Sequence, residues 1–406
     1  MGNGLTNPPL GGGGGAADGD GDGNPDAIEF VTDTGAGTTA LQGGVKTVDG
    51  GADLNAGGAD SITIVTSAAL NTNVASGDGA IGIGSSITAS GDGSIAIGGD
   101  ISTTGAQATF AGAIAIGGDS GTYASASSNQ THAVAIGSGT VAAAPDAVVI
   151  GREATCGAAA TNSVVIGRGA ASDNNPGIAI GLNADSTDTG GIAIGRNTVG
   201  HTQAVALGHF ANASVAYAVS IGATSDATAS GAIAIGGDGS TGAQATAAGA
   251  VAIGGDDGTN AAANASIANA IAIGSGTISS AINTIAAGKL STASANYSMA
   301  IGSGSDATQI GALALGSSSS SGAQAVAVGA TAIGSEDGTD AAASASAANA
   351  TAIGAGTFVN IADTWQIRGF GSCPPAGAVT AWQKLAGAQI VILSPEIDVD
   401  TATSEN

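Results

Sequence analysis

The sequence predicts an all-β protein, a parallel β-solenoid of coils ~14 residues long, closed by small terminal caps. Three observations predict it. First, a phrase of two aliphatics around a small residue, ended by glycine, recurs along the chain. Its closing glycines fall at 84, 98, 117, 137, 151, 167, 181, 195, 208, 222, 236, 254, 274, 288, 302, 316, 334 and 354, most often 14 apart. Second, aromatics are 2% and charged residues 9%, with 71 glycines in 406 residues, which leaves too few bulky side chains for an ordinary globular core. Third, hydrophobic residues reach 43%, too many for a disordered chain. Small apolar residues at a fixed period suit a thin, repetitive body.

The strand comes first. Ile95 and Ile97, Val134 and Ile136, Val205 and Leu207, and Leu313 and Leu315 alternate around one small residue. Alternation with period two is a strand signal. We expect both aliphatics to face inward and the small residue between them to face out. The glycine then turns the chain at little steric cost. A period of 14 is too short for a two-helix repeat and fits one solenoid coil. Coils stacked at the strand spacing of ~4.8 Å would make eighteen of them a rod of roughly 90 Å. A single coil cannot stand alone. Ordering its residues costs ~1–2 kcal/mol each, against ~1.5–3 kcal/mol for each buried aliphatic. Stacking, ladder hydrogen bonds and a further partner surface must supply the rest.

The units "AVAIGSGT" (133–140) and "SVVIGRGA" (163–170) resemble the head repeat of YadA-like trimeric autotransporter adhesins, a repeat also found in phage tail fibres. The resemblance covers residues 79–356. It implies a left-handed parallel β-roll, three chains side by side about one axis, hence a homotrimeric fibre. The sequence shows no heptad stalk, membrane-anchor barrel or signal peptide. The expectation is therefore a virion fibre or spike protein. It would attach to the virion or a larger assembly through its N-terminus, project outward, and contact a host-surface glycan or protein. The alternative is a prokaryotic surface adhesin, extracellular, without its anchor in this chain. A polysaccharide-degrading tailspike is the third reading.

The remaining coils differ in length. Steps of 19 and 20 run from Gly98 to Gly137, and steps of 18 and 20 from Gly236 to Gly274 and from Gly316 to Gly354. The inserts "GGDSGTYASASS", "GGDDGTNAAANA" and "GSEDGTDAAASA" resemble one another, so one module occurs three times. Insertions in a solenoid emerge as loops on one side, often the binding side. Here they either bind a ligand or seal the trimer.

At the ends the pattern changes. Residues 1–17 read as a flexible Gly-rich attachment segment. In 18–30, Asp18, Asp20, Asp22, Asn24, Asp26 and Glu29 take positions 1, 3, 5, 7, 9 and 12 of a calcium loop, with Gly23 at the sharp turn. Calcium takes six to eight oxygens, and this spacing offers carboxylates plus the Asn24 carbonyl. The segment resembles an EF-hand-type or thrombospondin type 3 loop. Pro25 and the preceding polyglycine favour the latter; an acidic linker is the other reading. Residues 31–78 read as an N-terminal adaptor or cap, with "SITIVT" (61–66) a strand. In 357–406, Phe358, Trp365, Phe370, Trp382 and the run "AQIVIL" mark a C-terminal cap or a receptor-contacting tip, and "DTWQIRG" resembles a last, altered coil.

Charge and side-chain chemistry narrow the function. Net charge is −24, from 31 acids against seven Lys plus Arg. Nucleic acid and anionic membrane are thereby disfavoured as partners, since phosphate binding needs a basic surface. No strongly apolar run is long enough to cross a bilayer. Cys156 and Cys373 read as free thiols. His132, His201 and His209 lack zinc spacing, and Gly288-Lys289 is no phosphate loop. A polysaccharide-cleaving site needs paired carboxylates beside aromatic platforms, and the repeats hold few aromatics; we expect no enzyme. The cations are informative. Between Gly84 and Gly354 they are Arg152, Arg168, Arg196 and Lys289, each directly after a closing glycine, as is His209. Stacking would set Arg152, Arg168, Arg196 and His209 on one stripe, interrupted by Leu182. Such a stripe either pairs with acids such as Glu153 or Asp185, or contacts an anion or glycan phosphate on each of three chains.

Overall fold

Each repeat phrase forms a three-residue strand, and a second strand, of two residues in most coils, follows about half a coil later. The computed structural model describes residues 46–47, 54–56, 58, 61–64, 73–99, 104–119, 121–237, 241–318, 321–367 and 390–393. Among them there is no helix. The chain divides into two units, Met1–Ala142 and Ala143–Asn406.

In the first unit the strands Lys46–Thr47, Ile62–Ile64, Ile81–Ile83, Ile95–Ile97, Ile114–Ile116 and Val134–Ile136 pair in parallel, each with the next. Parallel pairing thus reaches upstream of residue 79, with Ile62 opposite Ile81. The intervening strands, from Leu54–Ala56 to Val141–Ala142, form a second parallel ladder. The second unit repeats the arrangement. Its first ladder runs from Val148–Ile150 to Thr364–Ile367, and its second from Thr155–Ala159 to Phe358–Val359. Each unit is therefore a two-sheet parallel β-solenoid. The altered coil at "DTWQIRG" is present: Trp365 lies opposite Thr351 in parallel register. Ile390–Leu393 then pairs antiparallel with Thr364–Ile367 and ends the parallel ladder.

The orientation of the repeat phrase is the reverse of the expected one. The central small residue points in: Ala96, Ala115, Ala179, Ala193, Ala206 and Ala234 are all fully buried. The flanking aliphatics point out and are only half-buried, as in Ile192–Ile194 and Ile233–Ile235. The opposing sheet supplies the other half of the core, with Ala213, Ala227, Ala245 and Ala265 packed into the same cluster. Two sheets this close leave room for little beyond a Cβ. A Cβ added at Gly82 would come within 2.5 Å of the buried Ile87 side chain. Alanine fills such a gap without loss of side-chain entropy. Val149 and Val165 take the central place in two coils.

Both corners of a coil are β-turns. At the first, the Ala211 amide donates to the closing glycine's carbonyl at Gly208 (3.4 Å); at the second, the Ala218 amide donates to Val215 (3.3 Å). The third residue of each turn is left-handed, as at Asn183, Asn197 and Phe210 on one corner and Gln203, Tyr217 and Tyr297 on the other. The closing glycine has two reasons to be glycine. Gly181 has φ 136°, and a Cβ there would lie 2.2 Å from the carbonyl oxygen of Gly195 in the next coil. Many coils then place a buried Ser or Thr at the end of this turn. Thr198 Oγ1 donates to Gly195 (3.0 Å) and Ser291 Oγ to Gly288 (2.9 Å).

Changes in coil length leave the ladders intact. Ile192 lies opposite Val205 across the 13-residue step. The 16-residue step is absorbed by a bulge between Cys156 and Ala159. The long inserts all leave from the first corner, and Val251 still lies opposite Ile271 across one of them.

Candidate functional site

The calcium-type loop of Asp18, Asp20, Asp22, Asn24, Asp26 and Glu29 lies outside the described residues. Among the described residues no group of three or more His, Cys, Asp or Glu could hold a metal ion. Cys373 and Trp382 also lie outside them. Cys156 is buried on the second sheet, where burial raises its thiol pKa, as expected of an unreactive core thiol.

The cations do stack. The Gly169 amide donates to the Arg152 carbonyl, Asn183 to Arg168, Asn197 to Leu182 and Phe210 to Arg196, at 2.8–3.0 Å. Residues 152, 168, 182, 196 and 209 therefore form one column on the first corner of the second unit. Arg152, Arg168 and Arg196 are exposed and His209 is half-buried. Glycine just before each cation lets the strand turn sharply, so the following side chain stands clear of both sheets.

Within this column Arg196 is held by a histidine. Its Nε donates to His209 Nε2 (2.7 Å), a second guanidinium nitrogen approaches the same atom, and its Cζ lies 5.5 Å from the Phe210 ring centroid. His209 and Phe210 stack at 4.3 Å between centroids. Guanidinium has no acceptor, so His209 Nε2 is the accepting atom in this contact. Asp185 faces outward from the second sheet. Burial raises its carboxyl pKa, Asp173 adds to the rise, and His201 opposes it. Asp226 and Asp306, in the same outward column, are raised by burial too, against hydrogen bonds from Asn212 and Thr292. His201 itself pairs through Nδ1 with Asp188 (3.0 Å).

Lys289 resolves differently. Its Nζ meets Asp257 Oδ2 at 2.9 Å, reaching into the insert of the second module. Asp257 also accepts the amides of Asn260 (2.7 Å) and Thr259 (3.1 Å). The Lys289 ammonium, then these amides, hold its carboxyl well below the usual range. In the third module Asp337 accepts the amides of Asp340 (2.7 Å) and Thr339 (3.0 Å) in the same way. The insert is thus a built loop, organised by an aspartate at its tip. Sequence reasoning found the loops and the lysine separately. Nothing local in the sequence joins them, because Lys289 passes over an intervening coil to reach Asp257.

The outward aliphatics are the other feature. Leu207 is 43% exposed, Ile273 40% and Ile301 39%, all on the first sheet's outer face. Column on column of such residues makes that face mainly aliphatic in the second unit, with Thr331 and Thr351 as polar exceptions. The second sheet's outer face is polar by comparison, with Asp185, Asn212, Asp226, Gln244 and Thr292 in its ladder.

Comparison with known families fits this geometry. Residues 75–100, 128–154, 176–198, 202–225, 279–305 and 298–319 match the YadA head domain repeat. No curated protein matches the chain. The matched stretches lie in the alanine-cored coils with glycine corners, so over them the solenoid is similar to the YadA head domain repeat.

Proposed function

We propose that three copies of this chain associate through the aliphatic face of the first sheet into a fibre, that the fibre projects from a virion, and that it contacts a host surface. One observation carries the trimer: the interior is filled by alanine, while the larger aliphatics stand half-exposed along an entire sheet face. An apolar surface of that extent is a self-association face rather than a monomer surface. YadA head domain repeats support an adhesin-like surface fibre. The virion setting follows from the use of such repeats in phage tail fibres. The same fibre on a prokaryotic cell surface is the second reading, favoured by the surface adhesins from which the repeat takes its name. In either setting the role is mechanical and adhesive rather than catalytic. The segment Asp18–Glu29 would bind calcium near the attachment end. The exposed arginine column remains a candidate anion contact, with Arg168 its simplest probe.

Light scattering tests the trimer. A mass near three times the 37.3 kDa chain is expected, and a mass near one chain rejects it. The paired variant Ile194→Lys, Ile253→Lys should lower the temperature of dissociation, because it buries charge at the shared face. An unchanged dissociation temperature would place the interface elsewhere. Antibody labelling of whole particles and cells separates virion from cell surface.

A further inference from the structure

The insert of the second module walls a groove on the outer face of the second sheet. Its volume is about 180 Å³, and Thr241, Gly242, Gln244, Asn264, Gly276 and Ile278 line it together with two alanines. Three of these residues stack in ladder register, Gln244 opposite Asn264 and Asn264 opposite Ile278. Asn264 Oδ1 is buried there with no hydrogen-bond partner. A buried acceptor without a donor is costly, so turning the half-buried Asn264 amide toward the groove is favoured by a ligand that donates. Ile278 is 46% exposed and offers an apolar wall.

The ladder register of these residues recurs in the other two modules, although in the third Gln324 Nε2 also donates to Asp306 Oδ2 (3.4 Å) and Ser321 Oγ (3.2 Å). In the first module Gln107, Ser127 and Val141 share the register, and in the third Gln324, Ser344 and Phe358 do. Glutamine stands in this outward column at these three places only among the described coils, each time in the first enlarged coil of a module. Elsewhere the column holds Thr, Ser, Val, Ala, Asp, Asn, Ile or Phe. The glutamine therefore goes with the loops.

We propose that each groove is a subsite for a neutral hexopyranose, with Gln and Asn or Ser as hydrogen-bonding side chains and Ile278, Val141 or Phe358 as the platform for a sugar face. The inference rests on the host-contact reading above and names the class of ligand. No charged side chain lines the groove, and the nearby Asp257 is already neutralised by Lys289. That argues against phosphate, carboxylate and ammonium ligands. A purely apolar ligand would leave the Asn264 acceptor unmet. A peptide strand finds no free edge, because the Gln244 and Asn264 amides are spent in the ladder, donating to Ala263 and Thr277. The volume is below the ~300–1,000 Å³ of drug-sized pockets and suits one sugar ring at a time. The groove faces away from the aliphatic sheet, so self-association through that sheet leaves it open. Gln244 and Gln324 are five ladder steps apart, roughly 24 Å, so a repeating glycan would engage both subsites.

Saturation-transfer NMR on the full chain tests this, with methyl glucopyranoside, methyl galactopyranoside and methyl mannopyranoside as probes. Transfer from at least one is expected, with loss in the triple variant Gln107→Met, Gln244→Met, Gln324→Met. Methionine keeps the length of the side chain, and Val199 and Ile278 show that the column accepts apolar residues; far-UV circular dichroism checks the fold. Separately, Asn264→Leu should reduce the signal by removing one subsite of three. Absence of transfer from all three sugars overturns the proposal, as does full transfer in the triple variant. Binding confined to sulfated glycans would move the contact to the arginine column and also overturn it. Light scattering on the same samples keeps the readings apart. A single-chain mass for the unmodified protein rejects the trimer but not the subsite. A mass that falls only in the triple variant marks the groove as a subunit contact and rejects the subsite.

Discussion

An alanine Cβ sets the thickness of this solenoid. Ala206 packs among Ala193-type neighbours from adjacent coils and faces Ala213 of the opposing sheet, all without exposure. Enlarging it has nowhere to go, because buried alanines of both sheets already fill the space around it. Ala206→Leu should cost about 1–3 kcal/mol, the usual range for overpacking, read as a lower midpoint in thermal unfolding. The same change at an outward position, such as Thr331→Leu, should leave the unfolding midpoint of the isolated chain nearly unchanged. The contrast shows what was legible. Ile95 and Ile97 announced a strand and told which residues share a face. They did not tell which face is inside, since a period of two is symmetric to that choice. The usual preference for large residues inside fails where two sheets approach to a Cβ contact, and that distance is a property of the closed coil rather than of any one strand.

At the scale of the element, corners carry the variation. The ladders keep aliphatic opposite aliphatic through 13-, 16- and 20-residue steps because every difference is pushed into a turn, a bulge or an insert. The inserts are held at their tips by aspartates, and in the second module by an ion pair as well. Asp257→Asn removes the charge that Lys289 meets while keeping an acceptor for the Asn260 amide. We expect faster protease cleavage within residues 255–262 and an unaltered far-UV spectrum. Equal cleavage rates would show that the backbone turns alone hold the loop. The three modules were legible from their shared letters. The glutamine column was not, because its meaning depends on Gln244, Asn264 and Ile278 being neighbours, and they are 20 and 14 residues apart. The Arg196–His209 contact was half legible: the stripe followed from the repeat, while the histidine's role as acceptor needed the rotamers.

For the molecule as a whole, each unit behaves as a stack in which a coil contacts only its neighbours. The first ladder of the second unit, from Val148 to Thr364, would span roughly 70 Å at the strand spacing. In such a stack a whole coil is dispensable. Deleting residues 299–312 should bring Ile285 opposite Leu313 and leave a folded protein with a slightly altered midpoint. Deleting only 299–305 joins a strand of one sheet to the position of the other and should abolish cooperative unfolding. Circular dichroism through a thermal scan distinguishes the two, and similar curves would refute the nearest-neighbour description.

The alignment of unequal coils has a genetic consequence. The second and third modules share long stretches of sequence, beginning near Gly236 and Gly316, 80 residues apart. A misaligned crossover between them would excise or duplicate whole coils and meet no register error at the joint. Each such event would change reach and the number of insert loops together, so a population could vary fibre length without passing through unfolded intermediates.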